Sequence, residues 1–169
     1  MLIDELKNIA RNNGIVGAGG AGFPAYAKMT EKADTVILNC VECEPLLKLH
    51  RQLLATHTEE IIQMLDEVRE SFGAKEAVIG IKSEYVTTIK AIEEVIGDFP
   101  NVRICALKAA YPMGDEVVLI YEATGRVIKP GGLPIDENVV VYNVETMYNL
   151  YRAVHLNIPV TNKLVSIVG

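Results

Sequence analysis

Apolar and polar positions alternate along this chain in a way that predicts strands and helices in turn. Four short apolar runs, rich in β-branched residues and bounded by polar or turn-forming residues, predict buried strands: Thr35–Asn39, Ala77–Ile81, Val102–Leu107 and Val139–Tyr142. A further run, Leu164–Val168, is interpreted as a closing edge strand.

Between these runs, apolar residues recur every three or four positions, which predicts amphipathic helices. A first helix is predicted to end at Gly14, and a later one to begin with a capping box of Thr56 and Glu59 and to end at Gly73. The predicted helical positions are Leu2, Leu6, Ile9 and Ala10; Ile61, Leu65, Val68 and Phe72; Tyr85, Ile89, Ile92 and Ile96; Asp115–Thr124; and Val144, Met147, Tyr151 and Val154. Strands that alternate with helices predict an α/β fold, here a three-layer Rossmann-like domain with a mainly parallel sheet of about four to five strands.

Composition and charge narrow the class of protein. The 169 residues suit one domain, half of them are hydrophobic and 22% are charged, which is a globular composition. A formal net charge of -6 disfavours a nucleic-acid or anionic-membrane partner. No apolar run approaches the roughly 20 residues of a membrane span, and the N-terminus lacks the pattern of a signal peptide, so we expect a cytoplasmic protein without a transmembrane segment.

Polar clusters follow each of the four predicted strands. They occupy Asn39–Pro45, Lys82–Glu84, Lys108–Glu116 and Asn143–Thr146. An alternative explains part of this pattern: such loops are polar in any case, and Asp115 and Thr146 could simply serve helix starts. However, ligands of open parallel sheets bind beyond the carboxyl ends of the strands. Four clusters with amide, carboxylate, lysine and aromatic groups therefore favour a ligand site at this edge.

The stretch GIVGAGGAGFPAYAK contains a G-x-G-x-x-G pattern through Gly17, Gly19 and Gly22. A standard dinucleotide site needs a strand before these glycines, whereas here a predicted helix precedes them, so an ordinary Rossmann site is excluded. Glycines without Cβ atoms can nevertheless line a phosphate or allow a flat ring to lie against the backbone, with Phe23 stacking and Lys28 meeting a polar group. A glycine-rich packing turn is the alternative.

The cysteines and histidines do not form a recognisable metal motif. Cys40 and Cys43 make one C-x-x-C pair and Cys105 is distant, whereas a tetrahedral zinc or an iron–sulfur cluster needs about four ligands. We interpret the three thiols as reduced packing residues. The histidines have no mutual spacing typical of a metal site or a triad and are interpreted as helix-surface or boundary residues: His50, His57 and His155.

Four motifs in order, GAGGAGFPAYAK, NCVECEP, YPMGDE and NVET, resemble a flavin-binding domain shared by three related proteins. These are the C subunit of the Rnf ferredoxin–NAD electron-transfer complex, the cobalamin reductase of propanediol-utilisation compartments, and the NADH-oxidising flavin subunit of respiratory complex I. The resemblance extends from Gly14 to Gly169 and looks closest to the cobalamin-reductase branch.

The resemblance implies an FMN site that accepts hydride from NADH. By their match to the family motifs, the glycines would lie along the flavin and nucleotide, an aromatic residue would contact the nicotinamide nucleotide, and the third-strand motif would serve both ligands. Glu116 would act in catalysis, and the fourth motif would hold the FMN phosphate. The residues implied are Gly17, Gly19, Gly20, Gly22, Phe23, Lys28, Asn39, Glu42, Tyr111, Gly114, Asp115, Glu116, Asn143 and Thr146.

The chain departs from the complex I pattern at two contact positions and after the lysine. Val41 stands where those proteins have an acid, Tyr142 where they have an asparagine, and Glu31 near where they have an aromatic residue. A flavin-free scaffold or docking domain with the same fold is therefore the alternative function. A different α/β nucleotide-binding enzyme would explain the polar strand ends but not the order of the motifs.

The family also implies what accompanies the domain. We expect residues 1–169 to form a single FMN/NADH-binding domain, the N-terminal part of a longer protein whose 4Fe–4S clusters lie in a further domain. The expected partners are NADH, an electron-acceptor protein or corrinoid, and other subunits of an electron-transfer complex. The location implied is the cytoplasm, at the periphery of a membrane complex or inside a bacterial microcompartment.

Overall fold

The computed structural model describes residues 1–44 and 46–167 and contains one parallel sheet. Its four strands are β1 (Thr35–Cys40), β2 (Glu76–Lys82), β3 (Val102–Leu107) and β4 (Val139–Asn143), in the order β3-β2-β1-β4. All four predicted core strands are present within two residues of their predicted bounds. The predicted α/β class with a mainly parallel sheet of four to five strands is confirmed.

Six helices surround the sheet: α1 (Ile3–Asn12), α2 (Leu49–Thr56), α3 (Thr58–Phe72), α4 (Val86–Val95), α5 (Glu116–Thr124) and α6 (Val144–Leu156). Alternate side chains of each strand point to opposite faces. Val36 and Leu38 of β1 pack in the larger core with α1, α2, α3, α4 and α6, whereas Ile37 packs in a smaller core with α5. The domain is therefore three-layered, with five helices on one face and one on the other. None of the helices in residues 1–44 and 46–167 has the length and apolarity to cross a membrane.

The helix between β1 and α3 was not predicted. The sequence LHRQLLAT forms α2, where no helix was predicted. Its first turn has no local capping side chain; instead Glu42, eight residues upstream, accepts the backbone N–H of His50 over 2.9 Å. The proposed capping box is also wrong, since Thr56 ends α2 and donates its hydroxyl to Gln52.

Two other predictions fail at the ends of the chain. Leu2 is 79% exposed and precedes α1, whereas Ile3 is buried in its place. Residues 164–167 form no strand, and Val168 of that predicted strand lies outside the described residues. The N–H of Leu164 bonds to the carboxylate of Glu145 at the start of α6, not to a neighbouring strand.

The order of the strands leaves a crevice at the carboxyl ends of β1 and β4. From β1 the chain adds β2 and β3 on one side and then returns to place β4 on the other. Such a reversal of strand order is where open α/β sheets bind ligands, because the loops after the two strands separate there.

Candidate flavin site

A cavity of about 430 Å³ opens at this crevice, within the range of about 300–1,000 Å³ typical of ligand pockets. It brings together most of the residues named from the sequence, although they come from four separate segments. The predicted residues that line it are Gly17, Gly19, Gly20, Gly22, Phe23, Lys28, Asn39, Glu42, Gly114, Glu116, Asn143 and Thr146. We call one side the glycine-loop end (residues 17–23, His50, Asn143 and Thr146) and the other the acidic end (Lys28, Asn39, Glu42, Gly114 and Glu116).

The glycine loop is closed at its base and tied to α6. The N–H of Gly17 donates to the carbonyl of Phe23 over 2.7 Å, and Val16 and Pro24 form an antiparallel bridge. Gly20 and Gly22 have φ values of +149° and +65°, which L-residues with side chains rarely adopt, so the loop can turn tightly here only with glycine. The predicted glycine-rich turn is thus also a wall of the cavity.

The start of α6 faces this loop. Asn143 caps the helix by accepting the N–H of Glu145 over 2.9 Å. Thr146, 1% exposed, accepts the N–H of Ala18 from the glycine loop over 2.9 Å. The glycine loop and the N-terminus of α6 therefore lie against each other, and the positive end of the helix dipole favours a negatively charged group there.

At the acidic end, Lys28 and Glu116 form an ion pair in the cavity wall. The Lys28 ammonium lies 3.4 Å from the Glu116 carboxylate and donates to the carbonyl of Val141 over 3.3 Å. Glu116 is the first residue of α5, whose dipole favours a carboxylate there. Both side chains are more than one-third exposed, so solvent screens the pair and its contribution to stability is small.

Glu42 is a buried carboxylate with an unused acceptor. Its side chain is 1% exposed, and Oε1 accepts the N–H of His50. Oε2 lies 3.7 Å from Arg51 Nε and has no hydrogen-bond partner among the described residues. This oxygen therefore has an ion-pair contact but no hydrogen bond, which is uncommon for a buried polar atom.

Asn39 and Gly114 hold two walls of the acidic end together. The Asn39 amide donates to the carbonyl of Gly114 over 3.1 Å, while its oxygen accepts the N–H of Val41 over 2.9 Å. A Cβ on Gly114 would lie 2.3 Å from the Val41 oxygen and 2.7 Å from the Cys43 sulfur, so only glycine allows the two loops to approach this closely.

Two residues implied by the resemblance do not line the cavity. Tyr111 is 84% exposed, and the Asp115 carboxylate caps α5 by accepting the N–H groups of Val117 and Val118. Asp115 therefore fixes the start of α5, whose first residue is Glu116. The sequence-based suggestion that Asp115 serves a helix start has direct support in these contacts.

At the two contact positions where the chain departs from the complex I pattern, one side chain is apolar and the other is hydrogen-bonded within the protein. Val41 is buried in the smaller core beside the cavity. Tyr142 is buried, its hydroxyl donates to the carbonyl of Ala25 over 3.4 Å, and burial raises its pKa. Neither residue leaves an unpaired polar group in the cavity wall.

Of the cysteines, Cys43 is exposed at the cavity, Cys40 is buried and Cys105 is half-buried; all three are free thiols. Burial, with Glu42 nearby, raises the pKa of Cys40, which disfavours the thiolate needed for metal binding or redox chemistry. Within residues 1–44 and 46–167, no cluster of three or more His, Cys, Asp or Glu side chains is arranged to hold a metal ion.

His50 is the residue that the sequence analysis missed. It lies in the first turn of α2, which agrees with its interpretation as a helix-surface or boundary residue, but it also lines the cavity between Glu42 and Asn143, which was not predicted. Burial lowers the pKa of His50, Glu42 and Glu145 oppose that effect, and Lys163 adds to it. No spacing signal marks this residue, because its place in the site depends on α2.

Comparisons with known proteins show which family this chain is similar to. A model of the Nuo51 FMN-binding domain matches residues 10–152. Cobalamin reductase PduS of Citrobacter freundii is 39% identical over 164 residues, which are 97% of this chain and 36% of that protein. In the Na⁺-translocating ferredoxin:NAD⁺ oxidoreductase complex of Acetobacterium woodii, the C subunit is 33% identical over 170 residues, which are 98% of this chain and 38% of that protein.

A solved structure shares the fold. The NAD⁺-reducing NiFe-hydrogenase in its H₂-reduced state superposes with a TM-score of 0.76 and 25% identity, over 90% of this chain and 30% of the hydrogenase chain. This chain thus spans between 30% and 38% of the length of these three relatives. Because the family model matches most of the chain, the protein belongs to the Nuo51 FMN-binding domain family, flavin-binding domains of electron-transfer proteins.

Proposed function

We propose that this chain binds FMN in the cavity between β1 and β4 and that the bound flavin is reduced by NADH. The observation that carries the proposal is the pairing of two complementary ends in one cavity. The N-terminus of α6 beside the glycine loop suits a phosphate at the glycine-loop end, and the buried Glu42 oxygen that lacks a hydrogen bond suits an N–H group at the acidic end.

The residues present fit FMN in shape and in chemistry. Four glycines of the loop line the cavity without side chains, so a flat ring can lie against their backbone. The flavin ring carries an N–H that can satisfy Oε2 of Glu42, and the FMN phosphate suits Asn143 and Thr146. When bound, FMN supplies the capacity to accept two electrons as hydride and release them singly. The protein supplies binding, orientation and electrostatics.

A second cavity supports a place for the nicotinamide nucleotide. It has a volume of about 570 Å³, a mainly apolar wall, and shares Phe23, Lys28, Glu116 and Val141 with the first cavity. A ligand in it would therefore contact both the exposed ring of Phe23 and the Glu116 carboxylate. In this proposal Phe23 stacks on the nucleotide and Glu116 accepts hydrogen bonds from its hydroxyl groups.

Electron transfer beyond the flavin requires parts outside this chain. The expected 4Fe–4S clusters, further domain and acceptor, whether a protein or a corrinoid, stay predictions. The cobalamin reductase and the ferredoxin:NAD⁺ oxidoreductase are oxidoreductases by name, and this chain resembles about a third of each matched protein. We propose that it is the flavin-reducing module of such a protein.

The test is FMN binding followed by reduction. Calorimetry should give a Kd of about 1 μM or tighter, equivalent to roughly -8 kcal/mol, because phosphate and ring contacts add. Anaerobic stopped-flow mixing with NADH should then bleach the flavin absorbance. Retention of no flavin at high micromolar FMN would favour the scaffold function, whereas binding without NADH reduction would leave a flavoprotein with another donor.

A further inference from the structure

His50 belongs to the glycine-loop end of the cavity but also contacts the acidic end, and its contacts leave its ring available to a ligand. Its backbone N–H is held by Glu42 at the acidic end, while its ring lies against Asn143 at the glycine-loop end. The first contact fixes the start of α2 and therefore the position from which the side chain enters the cavity wall.

The contact with Asn143 has an unusual geometry. Asn143 Nδ2 lies 3.3 Å from Nδ1 and 3.2 Å from Nε2 of the same ring. An atom nearly equidistant from both ring nitrogens cannot lie in line with the in-plane lone pair or N–H of either one. The Asn143 oxygen accepts the N–H of Glu145, which fixes the orientation of the amide, so the group that faces the ring is the NH₂, a donor only. The contact thus leaves in-plane hydrogen-bonding capacity at both ring nitrogens.

The charges around the ring come from three elements. Glu42 follows β1, Glu145 is in the first turn of α6, and Lys163 comes from the C-terminal segment; Glu145 and Lys163 form an ion pair, and Glu145 also accepts the N–H of Leu164. The burial of the imidazole and the charge of Lys163 outweigh the two carboxylates, so the pKa of His50 is below its usual value. The ring is neutral at pH 7 in the ligand-free protein.

We propose that His50 is a phosphate-binding residue of this site, whose imidazole takes up a proton as the phosphate of FMN enters. This inference rests on the proposed FMN function and assigns a role to a side chain that the family motifs do not include. A phosphate near Asn143 and Thr146 brings up to two negative charges beside the ring, in a partly buried place where salt screens them weakly. The protonated ring then donates a charge-assisted hydrogen bond to a phosphate oxygen.

The experiment compares FMN with riboflavin, which lacks the phosphate, on the whole chain and on His50→Gln. Calorimetry at pH 7 in two buffers with different ionisation enthalpies measures both Kd and proton uptake. We expect His50→Gln to weaken FMN binding about tenfold or more, the value of a lost hydrogen bond to a charged group, and to leave riboflavin binding within twofold. Uptake approaching one proton per FMN in the wild type should fall towards zero in the variant.

The matched control is His155→Gln. His155 lies near the C-terminal end of α6, is paired with Glu67 of α3 and does not line the cavity. This variant should change neither Kd nor proton uptake. A measurement without substitution completes the test: NMR titration of the His50 ring in the wild type should show its pKa rising when FMN is added and staying unchanged with riboflavin.

The outcomes separate this inference from the proposed function. If the wild type binds no FMN, the proposed function fails. If it binds FMN but His50→Gln changes neither affinity nor proton uptake, only the role of His50 is overturned. An equal loss of FMN and riboflavin affinity would also overturn it, since His50 would then contact the ring system and not the phosphate.

Discussion

At the glycine-loop end of the cavity, short hydrogen bonds join backbone groups to one another and to neutral side chains. At the acidic end Asn39 makes similar bonds, but the oppositely charged side chains lie farther apart. The N–H of Gly17 donates to the Phe23 carbonyl over 2.7 Å, and the N–H of Ala18 donates to the Thr146 hydroxyl oxygen over 2.9 Å. Across the cavity, Lys28 lies 3.4 Å from Glu116, and Arg51 Nε lies 3.7 Å from the unpaired oxygen of Glu42.

In the proposed function, this difference assigns ligand binding to the glycine-loop end and the chemical step to the acidic end. The glycine-loop end is preorganised, so a group bound there needs little rearrangement of the protein and loses little free energy in ordering it. The loosely paired charges of the acidic end can exchange their partners for ligand groups. Loss of a hydrogen bond at the glycine-loop end should therefore cost more stability than loss of a charge at the acidic end, whereas close packing at Gly114 should make that position sensitive in its own right. The following predictions compare these changes by the free energy of unfolding.

The largest loss of stability is expected for Gly114→Ala. The new Cβ would meet the Val41 backbone oxygen at 2.3 Å, and this oxygen can move only with its loop. Overpacking of this kind costs about 1–3 kcal/mol, and each kcal/mol lowers the Tm of a chain of this size by about 2–4 °C. FMN binding should weaken as well, because the loops that carry Glu42 and Glu116 separate.

The control for this change is Gly97→Ala. No described atom lies within 4 Å of a Cβ at Gly97, and its φ is outside the left-handed region, so its Tm should stay near that of the wild type. Equal melting temperatures for the two variants would show that the loops at Gly114 adapt and that the acidic end is softer than its packing indicates.

A smaller loss is expected for Thr146→Val, which keeps the shape of the side chain but removes the acceptor for the Ala18 N–H. The expected cost is about 0.5–1.5 kcal/mol, with a parallel weakening of FMN binding because the glycine loop is released. Thr146→Ser keeps the hydroxyl and should restore most of both. Denaturant unfolding and calorimetry measure the two quantities; a Val variant that binds FMN normally would contradict the preorganisation of this end.

A still smaller effect is expected in the pH dependence of the stability of the ligand-free protein. Burial lowers the pKa of folded His50 below its unfolded value of about 6.5, so the unfolded state binds more protons between the two values. Stability contributed by the neutral ring is therefore complete above about pH 6.5 and is lost as pH falls through the folded pKa. Thermal melts at pH 7 and pH 5 should show a larger decrease for the wild type than for His50→Gln; identical slopes would contradict this assignment.

The smallest effect on stability is expected for Glu116→Gln, since an exposed ion pair contributes less than about 1 kcal/mol. The rate of flavin reduction by NADH should nevertheless fall tenfold or more, because a charged hydrogen bond to the nucleotide is lost. Glu122→Gln, on the same helix but absent from both cavity walls, is the control. An unchanged stopped-flow rate with NADH would exclude this role for Glu116.

The contrast between the two ends also marks how far the sequence predicts the site. Glycines, the NVET motif and the strand-end acids are local signals, and twelve residues implied by the resemblance line one cavity. Tyr111 and Asp115 do not, because the turn before α5 directs one into solvent and uses the other as a helix cap. His50 and α2 were missed because the group that caps the helix is Glu42, which no local pattern connects to it.

The sequence by itself determined the four strands, the parallel sheet and the motifs at its edge, because apolar runs of strand length and glycine spacing are properties of neighbouring residues. Only the tertiary structure decided which polar groups are paired. It bonds Leu164 to Glu145 where a strand was predicted, and it leaves Oε2 of Glu42 without a donor in the cavity wall. Such pairing depends on segments far apart in the chain, whose approach is fixed by the packing of the whole core.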